Sequence, residues 1–353
     1  MANRRAFLAG MLATGFVSTS TWAEVGSPAF LSAARRPDGI FVLCGLTARG
    51  EVTFEHPLPA RGHAAAAHPQ LAQAVAFARR PGTFAVVLDC QSGKEIGRLT
   101  APEGSHFYGH GAYSAAGDVL FTTENDYDAG RGVIGVWDTT QGYRRVGAFG
   151  SGGVGPHDIK LMPDGSTLVV ANGGIETHPD TGRAKLNLAT MRSNLSYLDT
   201  AGQVLEQMEL STDKQRNSIR HLAVSDKGAV AFAMQWEGDL RANLPLLGVH
   251  KRGARNVRFA DVVSVRQMQG YLGSVAMSLR GSKIATTSPR SGRLVVVDFE
   301  KLDVLESRLM ADVCGVAPAK ESFLVTTGTG LASLLGADAT RHALQWDNHL
   351  IAL

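Results

Sequence analysis

Residues 155–174 read G-P-H-D-I-K-L-M-P-D-G-S-T-L-V-V-A-N-G-G. Apolar side chains alternate on both sides of Pro163-Asp164-Gly165, a turn-forming triplet, so the stretch predicts two antiparallel strands joined by a tight turn. His157 stands where the first strand begins. The same shape recurs in A-Y-S-A-A-G-D-V-L-F-T-T (112–123), L-A-V-S-D-K-G-A-V-A-F-A (222–233) and V-A-M-S-L-R-G-S-K-I-A-T (275–286). Each hairpin runs into a third strand, often ending in aspartate (Asp89, Asp138, Asp199, Asp298), then a turn and a fourth strand. A four-stranded unit repeating every ~40–50 residues is the blade of a β-propeller.

Counting outward from that hairpin gives an all-β, seven-bladed β-propeller of four-stranded blades. Blades one to six begin near Gly62, Gly109, Pro156, Ile219, Leu272 and Cys314. The chain ends on W-D-N-H-L-I-A-L, an innermost-strand pattern with nothing after it. Near the other end, A-F-L-S-A-A-R (29–35), G-I-F-V-L-C-G-L (39–46) and E-V-T-F-E-H-P-L (51–58) are three strands with no innermost partner. Joining them completes a seventh blade and leaves no open sheet edge between the termini. The strand at Asn348 to Leu353 is therefore expected to pair with Ala29 to Ala34.

Aligning the seven innermost strands puts His63, His110, His157, His221, Gly273, Gly315 and His349 in register, the first three at equal steps of 47 residues. Five of the eleven histidines thus occupy one of seven equivalent positions around a central channel. Imidazoles converging on a channel suit Zn, Cu, Fe or Ni. The competing reading is structural. WD-type propellers start their blades with Gly-His for hydrogen bonding inside the blade, and Gly62-His63, Gly109-His110 and Trp137-Asp138 fit that pattern.

Other polar residues fall near the same mouth. Asp158 and Arg220 flank ring histidines, while Asn172, Gln235 and Trp236 end second strands. Glu124, which also ends a second strand, is added to the metal shell because a carboxylate among several imidazoles suits iron. Between its second and third strands, blade three carries an insertion, G-G-I-E-T-H-P-D-T-G-R-A-K-L-N (173–187). Its Glu176, His178, Asp180, Arg183 and Lys185 form a loop suited to covering the channel or docking a partner.

The first residues have a different job. M-A-N-R-R-A-F-L-A-G opens a basic segment, an apolar run to Val17 follows, and Thr21-Trp22-Ala23 is a small-residue cleavage site. Arg4-Arg5 followed by Phe7-Leu8 resembles a twin-arginine export signal, with Asn3 where such signals usually carry Ser or Thr; an ordinary secretory signal with two arginines is the alternative. Residues 1–23 are read as that leader and 24–353 as the propeller, placing the protein in the periplasm as a monomer without a membrane span. The formal charge of +3, partly due to Arg4 and Arg5, leaves no basic footprint for nucleic acid. Cys44, Cys90 and Cys314 lack metal or redox spacing and are expected as buried free thiols. There is no G-x-S-x-G, H-E-x-x-H, C-x-x-C-H or phosphate-binding glycine loop.

Several segments carry a family likeness: H-F-Y-G-H-G (106–111), T-E-N-D (123–126), G-R-G-V-I-G-V-W-D (130–138), the opening stretch, the blade-three insertion, S-I-R-H-L-A (218–223) and the terminal W-D-N-H-L-I-A-L. Together they resemble domain-of-unknown-function family 1513. The resemblance implies an exported seven-bladed propeller of the YncE-like or quinoprotein type. It also implies company with periplasmic iron-uptake components such as imelysin-like proteins, and favours iron over Cu or Zn at the ring. The expectation is thus a non-enzymatic periplasmic propeller that binds a transition metal, iron first, or a partner of an iron-uptake assembly. The alternative is a metal- or cofactor-dependent oxidoreductase or hydrolase working at the same channel mouth.

Overall fold

The computed structural model describes residues 28–182, 184–319 and 322–353. Residues 1–23, read from the sequence as a leader, and Arg183 of the insertion lie outside the described residues. Seven antiparallel four-stranded sheets account for every named strand, as the repeat predicts. Their innermost strands are Gly62–Ala67, Ser105–Tyr113, Pro156–Leu161, Asn217–Val224, Ser274–Met277, Val313–Ala319 and Gln345–Ala352.

The repeated turn residues explain why each blade folds locally. In the hairpin of blade three, Gly165 takes φ +69°, a left-handed value open to glycine without strain. Beside it, Asp164 Oδ1 accepts from the amides of Ser166 (2.9 Å) and Thr167 (2.8 Å). The recurring third-strand aspartates act alike: Asp89, Asp138, Asp199 and Asp298 each accept from backbone amides of the turn that follows. Their recurrence is therefore turn chemistry, an aspartate side chain standing in for a backbone acceptor.

Between turns, the second and third strands are almost wholly buried, while outer strands such as Lys94–Thr100 and Val304–Leu309 are largely exposed. Leu168, Val170 and Leu198 of blade three pack on Phe121 and Ile134 of blade two, so each interface between blades is a small apolar core. Each such aliphatic side chain contributes roughly 1.5–3 kcal/mol when fully buried. All three cysteines are buried and free.

The ring closes as expected. Gln345–Ala352 pairs with Phe30–Arg35, setting Phe30 opposite Ala352, Ser32 opposite Leu350 and Ala34 opposite Trp346. The Leu353 amide donates to the Ala29 carbonyl at 3.0 Å. No helix among the described residues is long and apolar enough to cross a membrane.

Candidate metal centre at the channel mouth

Irregular pairing marks the ring position. Between the first and second strands the register shifts at 62/65, 107/111, 156/158, 219/221 and 313/316, and in the closing blade it shifts opposite Ser32/Ala34. In these six blades the aligned ring residue lies within or directly beside the bulge. An unpaired residue bends its strand and re-aims its side chain, which here turns histidines toward the channel axis. Gly109, inside one bulge, has φ +105°, and a Cβ there would lie 2.6 Å from His63 Cδ2. A bare backbone at 109 is what lets His63 and His110 sit side by side.

The five imidazoles converge. His110 has its ring centre 5.1 Å from His63, 5.2 Å from His157, 5.9 Å from His221 and 4.7 Å from His349. Two triads share it: His63–His110–His349 and His110–His157–His221, with one ring nitrogen per residue and all within 4.8 Å of one another. Metal–imidazole bonds of about 2.0–2.1 Å place donors somewhat closer, so small ring rotations would draw either triad onto an ion. Four buried ring nitrogens have no hydrogen-bond partner: His63 Nδ1, His110 Nε2, His157 Nδ1 and His221 Nδ1. Buried polar atoms are rarely left so; His63 Nδ1 faces Asp347 Oδ1 at 4.0 Å, and the nitrogens on His110, His157 and His221 fit a ligand that accepts lone pairs.

The surroundings keep those lone pairs available. Burial, reinforced by neighbouring imidazoles and, for His63 and His157, by nearby guanidinium groups, holds His63, His157 and His349 well below the usual histidine range. His221 falls to about 3, chiefly through burial and then through His110. Neutral rings are the metal-binding form. His110 Nδ1 lies 3.1 Å from Asp158 Oδ1, so it donates there and presents Nε2 to the ring. Burial alone would raise the Asp158 carboxyl, but Lys160 and His110 outweigh it and keep the group ionised. A carboxylate behind an imidazole fixes its tautomer and raises its basicity toward a metal.

The WD-type arrangement is not what these side chains form. Trp137 Nε1 donates to Thr122 Oγ1 at 2.9 Å, Asp138 caps its own turn, and His110 reaches into the next blade. Likewise His349 Nε2 meets His63 Nε2 across a blade boundary at 3.2 Å.

Glu124 does not join the ring. Arg145 holds both its carboxylate oxygens at 2.6 and 2.8 Å, and Thr122 donates to Oε1 at 2.8 Å. The physical reason is alternation: Glu124 follows Thr122 on the strand face turned toward Gly135 and Arg145. Asn172 is likewise consumed, by Ser151, Asn194 and Ser196.

The insertion spreads over neighbouring blades. Asn187 ties it down through the Glu176 amide and the Gly174 carbonyl, at 2.7 and 2.9 Å. His178 faces Asp128 of blade two at 3.7 Å, Lys185 pairs with Glu237 of blade four, and Asp180 points outward. Gly182 and Lys185 line a cavity of about 530 Å³ that reaches His63, His157 and His221. Gln235 and Trp236, at the end of a second strand, and Arg220, beside ring histidine His221, line it. Arg79, Arg80, Tyr108 and Arg290 also line it, and sequence reading passed over them. The signal was available for the arginines, since 79–80 and 290 follow second strands just as Gln235 ends one.

Fold and site together define a seven-bladed β-propeller with five imidazoles converging among its innermost strands. The chain belongs to the family described as protein of unknown function (DUF1513), whose model matches residues 56–353. Among solved structures it is similar to hydrazine synthase of Kuenenia stuttgartiensis, at 16% identity and TM-score 0.62 over 94% of this chain and 99% of that one. It is also similar to the Cps50 (Swd1) β-propeller domain of Myceliophteria thermophila, at 12% identity and TM-score 0.58 over 89% and 94%. At such identities the likeness is one of fold. No curated protein matches the chain.

Proposed function

We propose that this propeller binds a transition-metal ion through His63, His110, His157, His221 and His349, and serves as a rigid frame for metal handling rather than as an enzyme. The observation that carries this is the convergence of five imidazoles in two triads, each with one ring nitrogen per residue within 4.8 Å of the others, with Asp158 orienting the histidine they share. Iron is the ion favoured by the family resemblance, with Cu and Zn as competitors for an imidazole set. On the same reading the protein is exported by its twin-arginine leader and meets an iron-uptake partner in the periplasm, at the outward side of the insertion near Asp180.

The test is metal content of the purified mature protein, followed by calorimetric titration of metal-free protein with Fe(II), Cu(II) and Zn(II). His110→Ala and His157→Ala are titrated alongside. Tight stoichiometric binding, abolished by His110→Ala and weakened by His157→Ala, is the expected result. Absence of binding to the wild type, with both variants merely less stable, would make the histidines structural.

A further inference from the structure

The cavity over the ring is strongly cationic in a way that a bare metal site does not call for. Arg80, Arg220 and Arg290 line it, and its one lining carboxylate among the described residues, Glu237, is already engaged by Lys185. Arg220 is the telling residue. It sits in the bulge immediately before His221, and its buried Nε has no hydrogen-bond partner. The hydroxyl of Tyr108, also lining the cavity and buried, lies near Thr177 and Arg80 without a well-formed hydrogen bond to either. Arg290 lies over the Tyr271 ring at 4.5 Å, which holds its guanidinium at the rim.

Imidazole ligands bring no negative charge of their own, so a metal ion bound there would face the guanidinium groups of the cavity with only the Asp158 carboxylate, behind His110, to offset it. Like charges so close are unfavourable unless an anion lies between them. Guanidinium groups bind planar carboxylates in a fork, by two parallel hydrogen bonds. Those here are separate residues around a cavity of about 530 Å³, a volume in the range of small-molecule sites.

We infer that this cavity binds a small polycarboxylate anion, held by Arg80, Arg220 and Arg290 with the Tyr108 hydroxyl, directly over the channel histidines. The anion site stands on the arginines alone. Its role as the anionic companion of a bound metal rests on the metal reading above. The ring then receives or releases its ion as a carboxylate chelate, the carboxylates balancing both the metal and the arginines.

The test is calorimetric titration of the metal-free full chain with citrate, and separately with inorganic phosphate, in about 0.15 M salt, where weak surface pairing is largely screened. One-to-one citrate binding is expected, with phosphate at least about tenfold weaker. Arg220→Gln and Arg290→Gln should each weaken citrate by about tenfold or more. Arg290 is exposed at the rim, so its variant remains informative if Arg220→Gln fails to fold. No citrate binding, unchanged affinity in the arginine variants, or phosphate binding as tightly as citrate would overturn the inference. Metal binding without citrate binding would sink this inference alone, and citrate binding without metal binding would sink the metal reading alone.

Discussion

His110 and Asp158 belong to adjacent blades, and their side chains meet at 3.1 Å between Nδ1 and Oδ1. Asp158 is anchored in turn by the amides of Ile159 at 2.8 Å and of Leu222 at 2.9 Å, so one carboxylate ties three blades to the shared ring histidine. Replacing it with asparagine keeps the shape but removes the charge that favours a basic Nε2 on His110. Asp158→Asn is expected to lower metal affinity by about 10–100-fold, read by calorimetry. Unchanged affinity would remove Asp158 from the centre.

Glu124 and Arg145 give the contrasting case. Glu124→Ala leaves a partly buried guanidinium unpaired and frees Thr122, so unfolding should become easier by about 2 kcal/mol or more. Metal stoichiometry should not change, because Arg145 already occupies this carboxylate. A variant as stable as wild type that has lost its metal would restore Glu124 to the donor set.

Acid should destabilise the metal-free protein. An unfolded histidine takes up a proton near pH 6.5, whereas folded His63, His157 and His349 do so far lower and His221 only at about 3. The unfolded chain therefore binds more protons in this window, and stability rises with pH there. It is full above about pH 6.5 and falls by about 1.4 kcal/mol per pH unit for each histidine that stays neutral. Thermal melts between pH 8 and pH 5 read the slope, which should be shallower for His157→Gln. Identical slopes would mean that His157 protonates freely in the fold.

Ring closure can be tested away from the site. Phe30 is 2% exposed and packs with Val42, Cys314, Trp346 and Leu350, where strands from both ends of the chain meet. Phe30→Ala is expected to cost about 3–5 kcal/mol in denaturant unfolding. A cost under about 1 kcal/mol, the level of a tolerated surface change, would mean that the seventh blade contributes little to the ring.

Gly109→Ala probes the bulge. Any side chain at 109 meets His63 and must also adopt a positive φ, so the His63–His110–His349 triad should be displaced. Weaker metal binding with a folded protein is the expected outcome, checked by titration together with circular dichroism. Wild-type affinity would show that His63 is dispensable.

The propeller was legible in residues 155–174 and their echoes because a blade is a local object. Alternation, Pro163-Asp164-Gly165 and the capping aspartates act over a few residues and repeat with the period. Register between repeats then carried His63, His110, His157, His221 and His349 to one level, and the unpaired strands at both ends dictated closure. Which way each side chain points at that level depends on bulges, and these arise only when strands pair. One extra residue in a strand reverses which face a side chain joins, so the sequence alone could not separate Glu124, turned toward Arg145, from the histidines turned to the axis. The contact of His110 with Asp158, and the approach of Arg80, Arg220 and Arg290 to one cavity, join residues far apart in the chain. They depend on how seven twisted sheets stand around an axis, which no local pattern encodes.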